Sequence, residues 1–255
     1  MSSEANYAFG VHFYTGSKAA LLELIKDGIR QPYSYVVTPN VDHLPQLQRN
    51  DALRQAYDNA RLRVCDSRIL LPMLRSLGVE VPEVITGSDL TVDLLKWADR
   101  ERLTLVQIGA TEHECGLLRK LYPGITIYHH NPPMGFIRNP EEVQRCIDFV
   151  VQHPSDLVFF AVGTPQGEIV ASMVPSHERT GMAFCIGASI SFATGTIRRA
   201  PVWMQRAKLE WLYRMLREPR RLARRYWNDA LYIGPAYLRE RSYRQQRVKP
   251  AKQDS

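Results

Sequence analysis

The chain has 255 residues, 45% of them hydrophobic, with a formal net charge of +7. That is enough for one substantial core plus an appendage, and no run approaches the ~20 apolar residues that would span a bilayer. Residues 198–255 carry 16 Lys/Arg against 5 Asp/Glu, whereas the preceding 197 residues carry 17 against 21. A slightly acidic body therefore bears a strongly basic tail.

The start, MSSEANYAFGVHFYTG, has neither the basic nor the apolar region of a targeting segment. YSYVVT (33–38) and RLRVCD (61–66) read as strands, and TGSDLTVDLLKWADRE (86–101) as a helix with apolar positions at Leu90, Leu94 and Trp97. LTLVQIG (103–109) and ITIYHH (125–130) follow as strands. NPEEVQRCIDFVVQHP (139–154) predicts a helix with Asn139 as N-cap and Pro140 at its first position. DLVFFAVG (156–163) and MAFCIGA (182–188) complete six strands, and strand alternating with helix predicts an α/β fold with a mainly parallel sheet. Four cysteines, Cys65, Cys115, Cys146 and Cys185, lack ligand spacing and read as buried thiols kept reduced. The histidines include the pair His129–His130 but no HExxH, so no metal site is expected.

In such folds ligands collect beyond the carboxyl ends of the strands. There the chain places Thr38-Pro39-Asn40, Cys65-Asp66-Ser67, Gly109-Ala110-Thr111, Gly163-Thr164-Pro165-Gln166-Gly167-Glu168 and Gly187. Glycine at these points lets backbone amides approach a ligand, although ordinary turn chemistry asks for the same residue types. Neither GxGxxG after the first strand nor GxxxxGK[ST] occurs, which disfavours a dinucleotide or P-loop site. The tail segment EWLYRMLREPRRLARRYW (210–227) interleaves six arginines with Trp211, Tyr213, Tyr226 and Trp227. Nucleic acid, an anionic membrane and a bound diphosphate each fit that composition.

TPNVDHL (38–44), the Asp66 strand end, VITGSDL (84–90), PPMGF (132–136), GTPQGE (163–168) and GTIRRAPVWMQRAKLEWLYRMLREPRRLARRY (195–226) resemble the successive motifs of the WecG/TagA/CpsF glycosyltransferases. The likeness runs from about residue 8 to 233 and is most specific in the last motif. It implies a Rossmann-like core over residues 1–195 and a helical appendage over 196–255 that meets the membrane. It further implies inverting, metal-independent transfer of a sugar, without a cofactor, from a nucleotide (UDP) donor to a polyprenyl diphosphate-linked saccharide on the inner face of the cytoplasmic membrane. Five positions depart from the family pattern: Ser67 for Gly, Val84 for Arg, Gln166-Gly167 for Lys-Gln, and Ser191 for Asp.

On this reading Asp66 is the general base, its competing role being a helix cap. Thr38, Asn40 and Arg68 bind the acceptor. Gly109, Gly135, Phe136, Gly163, Gln166, Glu168, Gly187 and Ser191 bind the donor, with Phe136 a wall for the nucleobase. Arg214, Arg221 and Arg224 match the family's tail arginines and would neutralise the departing diphosphate. Past Pro219, Arg220, Arg221, Arg224, Arg225 and Asn228 share one helical face, while Leu222, Ala223, Tyr226, Ala230 and Ile233 share the other. Trp211, Tyr226, Trp227 and Ile233 are the expected membrane contacts. Homo-oligomerisation is left open. The alternative reading is a basic α/β protein that binds nucleic acid without glycosyl transfer, although no recognised binding motif accompanies the charge.

Overall fold

The structure, a computed structural model, describes residues 5–177, 179–197, 204, 213, 216 and 219–248. A two-stranded hairpin of β1 (Tyr7–Ala8) and β2 (Val11–His12) precedes α1 (Lys18–Gly28). Then come β3 (Ser34–Val37), α2 (His43–Arg49), α3 (Asp51–Asn59), β4 (Leu62–Arg63), α4 (Leu70–Ser76) and α5 (Gly87–Glu101). β5 (Thr104–Gly109), α6 (Glu112–Leu121), β6 (Thr126–His130), a 3-10 turn (Phe136–Arg138) and α7 (Pro140–Gln152) follow. β7 (Leu157–Ala161), α8 (Gln166–Met173), β8 (Met182–Cys185) and α9 (Ser189–Ala193) close the core, and α10 (Pro219–Val248) is the long helix of the tail.

The six predicted strands form one sheet in the order β4-β3-β8-β7-β5-β6, and every pairing is parallel. Parallel sheets need both faces covered, because their crossovers lay helices on each side. Alternation along the strands meets that need. Tyr35, Val37, Val106, Ile108, Val158 and Phe160 enter one core with α2, α3, α4, α7 and α8. Val36, Leu105, Leu157, Phe159 and Phe184 enter the other with α1, α5 and α6. The result is a three-layer, Rossmann-like α/β core.

Helix starts sit where their capping residues put them. Thr86 accepts the Asp89 amide at 3.1 Å to open α5, and Asn139 accepts the Glu141 amide at 3.0 Å ahead of Pro140 in α7. Thr111 and Glu114 form a reciprocal capping box at α6. All four cysteines are free and buried.

The tail helix α10 lies on the body. Tyr232, Ile233 and Tyr237 pack against the core that also holds α2 and α4. The Tyr237 hydroxyl is 2.9 Å from Ser76 Oγ, and Arg244 donates to the carbonyls of Leu77 (2.6 Å) and Tyr7. The outward stripe carries Trp227, Leu231 and Leu238, each more than 60% exposed. Ile233 was expected on the membrane face; its side chain instead faces the body, because positions 233, 237 and 244 form the helical stripe that docks. Among the described residues no helix is long and apolar enough to cross a membrane.

Ile233→Ser should therefore lower stability by about 1–2 kcal/mol, the scale of a half-buried aliphatic side chain. Trp227→Ser should leave the unfolding free energy within about 0.5 kcal/mol of the parent's. Equilibrium urea unfolding of both variants checks this, and equal losses would contradict the docking described.

Candidate active site

Three strand-end segments lie side by side. The Asp66 amide donates to the Pro39 carbonyl at 3.0 Å, and the Ile85 amide to the Cys65 carbonyl at 3.1 Å. This ladder draws Thr38, Asp66 and the start of α5 to one point. A β-carbon built on Gly87 would stand 3.3 Å from Asp66 Oδ2, 3.5 Å from Thr38 Oγ1 and 3.7 Å from Ser189 Oγ. Three oxygen-bearing side chains thus converge on a residue that has none. The first turn of α5 carries unsatisfied amides and a partial positive charge, which favours a carboxylate beside it. One residue on, Ser67 Oγ accepts the Leu70 amide at 3.0 Å, just ahead of α4. Arg68 is exposed on the same turn, and Asn40 is half-buried.

On the other side of the sheet's carboxyl edge, three neighbouring strands each end in a left-handed glycine. Gly187 after β8, Gly163 after β7 and Gly109 at the end of β5 have φ of 51°, 77° and 83°. A β-carbon on Gly109 would lie 2.9 Å from the Ala161 carbonyl, so glycine is required there by close approach as well as by φ. Gly163 and Gly187 face open space. Together they offer a row of small turns where backbone can meet a ligand.

The remaining expected donor residues divide. Gln166 turns its amide nitrogen back onto the carbonyls of Gly163 (3.1 Å) and Thr164 (3.2 Å), bracing the turn. Ser191 donates to Glu114 Oε1 at 2.5 Å. The Thr111 amide and hydroxyl donate to Glu114 Oε2, both at 2.9 Å. Although burial alone raises the Glu114 pKa, these donors together bring it below the ordinary range. Gly135 adopts φ 79° with open space above it. Phe136, expected as a nucleobase wall, is a core residue: it is buried with Val143 and Ile147, and the fully exposed side chain of that turn is Met134. Glu168 is also buried, 2% exposed, and points to Thr164, with Oε1 2.7 Å from Thr164 Oγ1. Its influence on a ligand must pass through Thr164.

Four participants were missed from the sequence: Gly87, Ser189, His43 and Thr164. Gly87 lies inside a quoted motif, and its lack of a side chain was the available signal. His43 and Thr164 meet only through the fold, 121 positions apart, with His43 Nε2 3.0 Å from Thr164 Oγ1. Among the described residues no three His, Cys, Asp or Glu side chains cluster as metal ligands would. Of the tail residues, Trp211 and Arg214 lie outside the described residues, as do the side chains of Arg221, Arg224 and Tyr226. Trp227 is exposed and Ile233 is docked.

His129 holds the β5 turn from the neighbouring strand. Its Nδ1 donates to Glu112 Oε1 at 2.9 Å, and its Nε2 donates to the carbonyls of Gly109 (3.0 Å) and Ala110 (3.3 Å). Both ring nitrogens face acceptors, which favours the imidazolium. The Cys115 sulfur, then Glu112 and the Gly109 carbonyl, outweigh burial and raise its pKa to about 9.

A model of the "Glycosyl transferase WecG/TagA/CpsF family" matches residues 7–247. The chain is also 26% identical, over 209 residues, to an N-acetylglucosaminyldiphosphoundecaprenol N-acetyl-beta-D-mannosaminyltransferase of Bacillus spizizenii. That match covers 80% of this chain and 77% of the relative.

A raised histidine pKa sets the sign of a pH effect. Unfolded, His129 titrates near its ordinary 6.5; folded, near 9. Its stabilisation is therefore complete below about pH 6.5 and is lost as pH rises through 9. The urea midpoint should fall between pH 6.5 and 9.5, and His129→Gln should remove much of that slope. An unchanged slope in the variant would place the titration elsewhere.

Proposed function

The chain belongs to the WecG/TagA/CpsF glycosyltransferase family, and on that premise we propose that it moves a sugar from a uridine diphosphate donor to a hydroxyl of a polyprenyl diphosphate-linked saccharide. The observation that carries this reading is the meeting of Asp66, Thr38 and Ser189 around Gly87 at the amino end of α5. A lone hydroxyl is a poor nucleophile, and a carboxylate within reach of it removes that obstacle. Asp66 takes the proton of the acceptor hydroxyl while its oxygen attacks the anomeric carbon. The bond from that carbon to the diphosphate oxygen breaks on the opposite face, and the nucleoside diphosphate leaves with the electron pair. The configuration of the sugar is inverted.

Thr38, Asn40 and Arg68 suit the acceptor side. The glycine row at 109, 163 and 187 and the turn at Gly135 suit the donor. Charge building on the leaving diphosphate needs fixed positive groups, and Arg214, Arg221 and Arg224 are proposed to supply them in a metal-independent reaction. The Bacillus spizizenii relative is named for transfer to N-acetylglucosaminyl-diphosphoundecaprenol. An acceptor of that class fits a basic tail, and the changes at Ser67, Val84, Gln166, Gly167 and Ser191 fall where sugar choice would be made. Trp227, Leu231 and Leu238 form an outward apolar stripe that suits the interface of an anionic bilayer, on its cytoplasmic face. The nucleic-acid alternative draws on the tail's charge alone and leaves the Asp66 cluster without a task.

Asp66→Asn should keep donor binding within a few-fold and cut transfer by about 10²-fold or more. Calorimetric binding of the nucleotide sugar, beside turnover on a short-chain acceptor, checks this; near-normal turnover would remove Asp66 as the base. Trp227→Ser combined with Leu231→Ser should weaken binding to anionic liposomes by about tenfold, while turnover on the soluble acceptor persists. Unchanged liposome binding would move the membrane contact elsewhere.

A further inference from the structure

Behind the acceptor turn lies a polar chain that the reaction as described does not use. Its centre is His43, the first residue of α2 and only 7% exposed. Asn40 Oδ1 accepts the amides of Asp42 (3.0 Å) and His43 (3.3 Å), which fixes the side-chain amide and aims Nδ2 at His43 Nε2, 3.3 Å away. Nε2 is therefore the nitrogen without a proton, and the ring proton sits on Nδ1, 2.7 Å from the Tyr57 phenol oxygen. Burial drives the Tyr57 pKa far up, so that phenol stays neutral.

The same Nε2 lies 3.0 Å from Thr164 Oγ1, on the far side of β8 from Asn40, since β3 and β7 flank β8 in the sheet. Thr164 has a single proton and two neighbours, His43 Nε2 and Glu168 Oε1. Glu168 decides how it is used. Its carboxyl is buried, burial raises its pKa, and its Oε2 meets no hydrogen-bond partner among the described residues. With Nε2 bare, its 3.0 Å contact takes the Thr164 proton, and the 2.7 Å contact from Thr164 Oγ1 to Glu168 Oε1 then places a proton on that carboxyl. The Thr164 and Glu168 protons then each have an acceptor.

Resting on the glycosyl-transfer reading for what its two sides bind, we propose that His43 is a positioning residue that couples the acceptor turn to the donor turn. Its Nε2 holds the Asn40 amide on one side of β8 and the Thr164 hydroxyl on the other. A shift of the 163–166 turn on donor binding is thereby felt at Asn40, beside the acceptor hydroxyl. Asn40 and Thr164 are otherwise on separate loops.

Substitutions of different reach separate positioning from packing. In His43→Asn the amide stands near the place of Nδ1 and keeps a partner for Tyr57, but cannot reach Asn40 or Thr164. In His43→Gln the amide oxygen reaches the place of Nε2 and can accept from both. His43→Asn should lower kcat by about 10- to 100-fold, the scale of a misplaced reacting group. Donor KM should change less than threefold, and the unfolding midpoint should stay near the parent's. His43→Gln should recover most of the lost turnover. Thr164→Val, with the same shape and no hydroxyl, should reproduce the loss, and the double variant His43→Asn with Thr164→Val should lose no more than the worse single. Turnover that tracks stability, or the two singles multiplying in the double, would overturn the coupling. Nitrogen-15 NMR of the unliganded protein at pH 7 should show His43 protonated on Nδ1 and bare at Nε2; a proton on Nε2 would overturn it too. That spectrum needs no substrate, so wild-type protein that transfers no sugar would count against the glycosyl-transfer reading and leave the His43 geometry standing.

Discussion

Gly87 begins α5 with the Asp66 carboxylate 3.3 Å from where its side chain would start, and the rest of the site depends on that gap being kept. A methyl there would press on Asp66 Oδ2, the proposed proton acceptor, and crowd the Thr38 hydroxyl. The gap exists because the backbone ladder from Pro39 through Cys65 to Ile85 carries three strand-end segments to one edge. A parallel sheet supplies that edge, since all its carboxyl ends point one way. Layers, strand order and helix caps act on the chemistry through this single geometric result.

Positive and negative charge have been kept apart along the chain. The body is slightly acidic, with 17 Lys/Arg against 21 Asp/Glu before residue 198. The basic surplus follows residue 197, in a tail whose helix docks through Tyr232, Ile233, Tyr237 and Arg244. Docking by one stripe leaves the opposite stripe of Trp227, Leu231 and Leu238 outward. One helix can thus dock on the body and, on the proposed function, present its outward stripe to a lipid surface.

Much of the fold was legible because buried parallel strands read as compact apolar runs. DLVFFAVG and LTLVQIG show this most clearly, and each became a central strand with only its ends trimmed. The capping residues at Thr86 and Asn139 were legible for a local reason, since a cap lies within three residues of what it caps. The β1–β2 hairpin was missed because two-residue strands leave no period to see. At the site, Asp66, Thr38 and Asn40 could be named from strand-end chemistry and family likeness. Phe136 and Ile233 could not be placed, because an apolar side chain at a turn or on a helix serves core and ligand surfaces alike until its neighbours are known. His43 and Tyr57 were not named, and the mutual contacts of Thr164 and Glu168 were not foreseen, for a further reason. Each is unremarkable in its own segment, and their hydrogen bonds arise only after α2, α3 and the β7–α8 turn have packed.

The most direct test of the central claim is the anomeric configuration of the product. The protein would be incubated with uridine diphosphate sugars and a short-chain polyprenyl diphosphate N-acetylglucosamine, and any disaccharide formed would be read by proton NMR. A carboxylate that activates the acceptor for in-line attack predicts a new glycosidic bond of opposite configuration to the donor's. A product with retained configuration, or no product from any uridine diphosphate sugar, would contradict it.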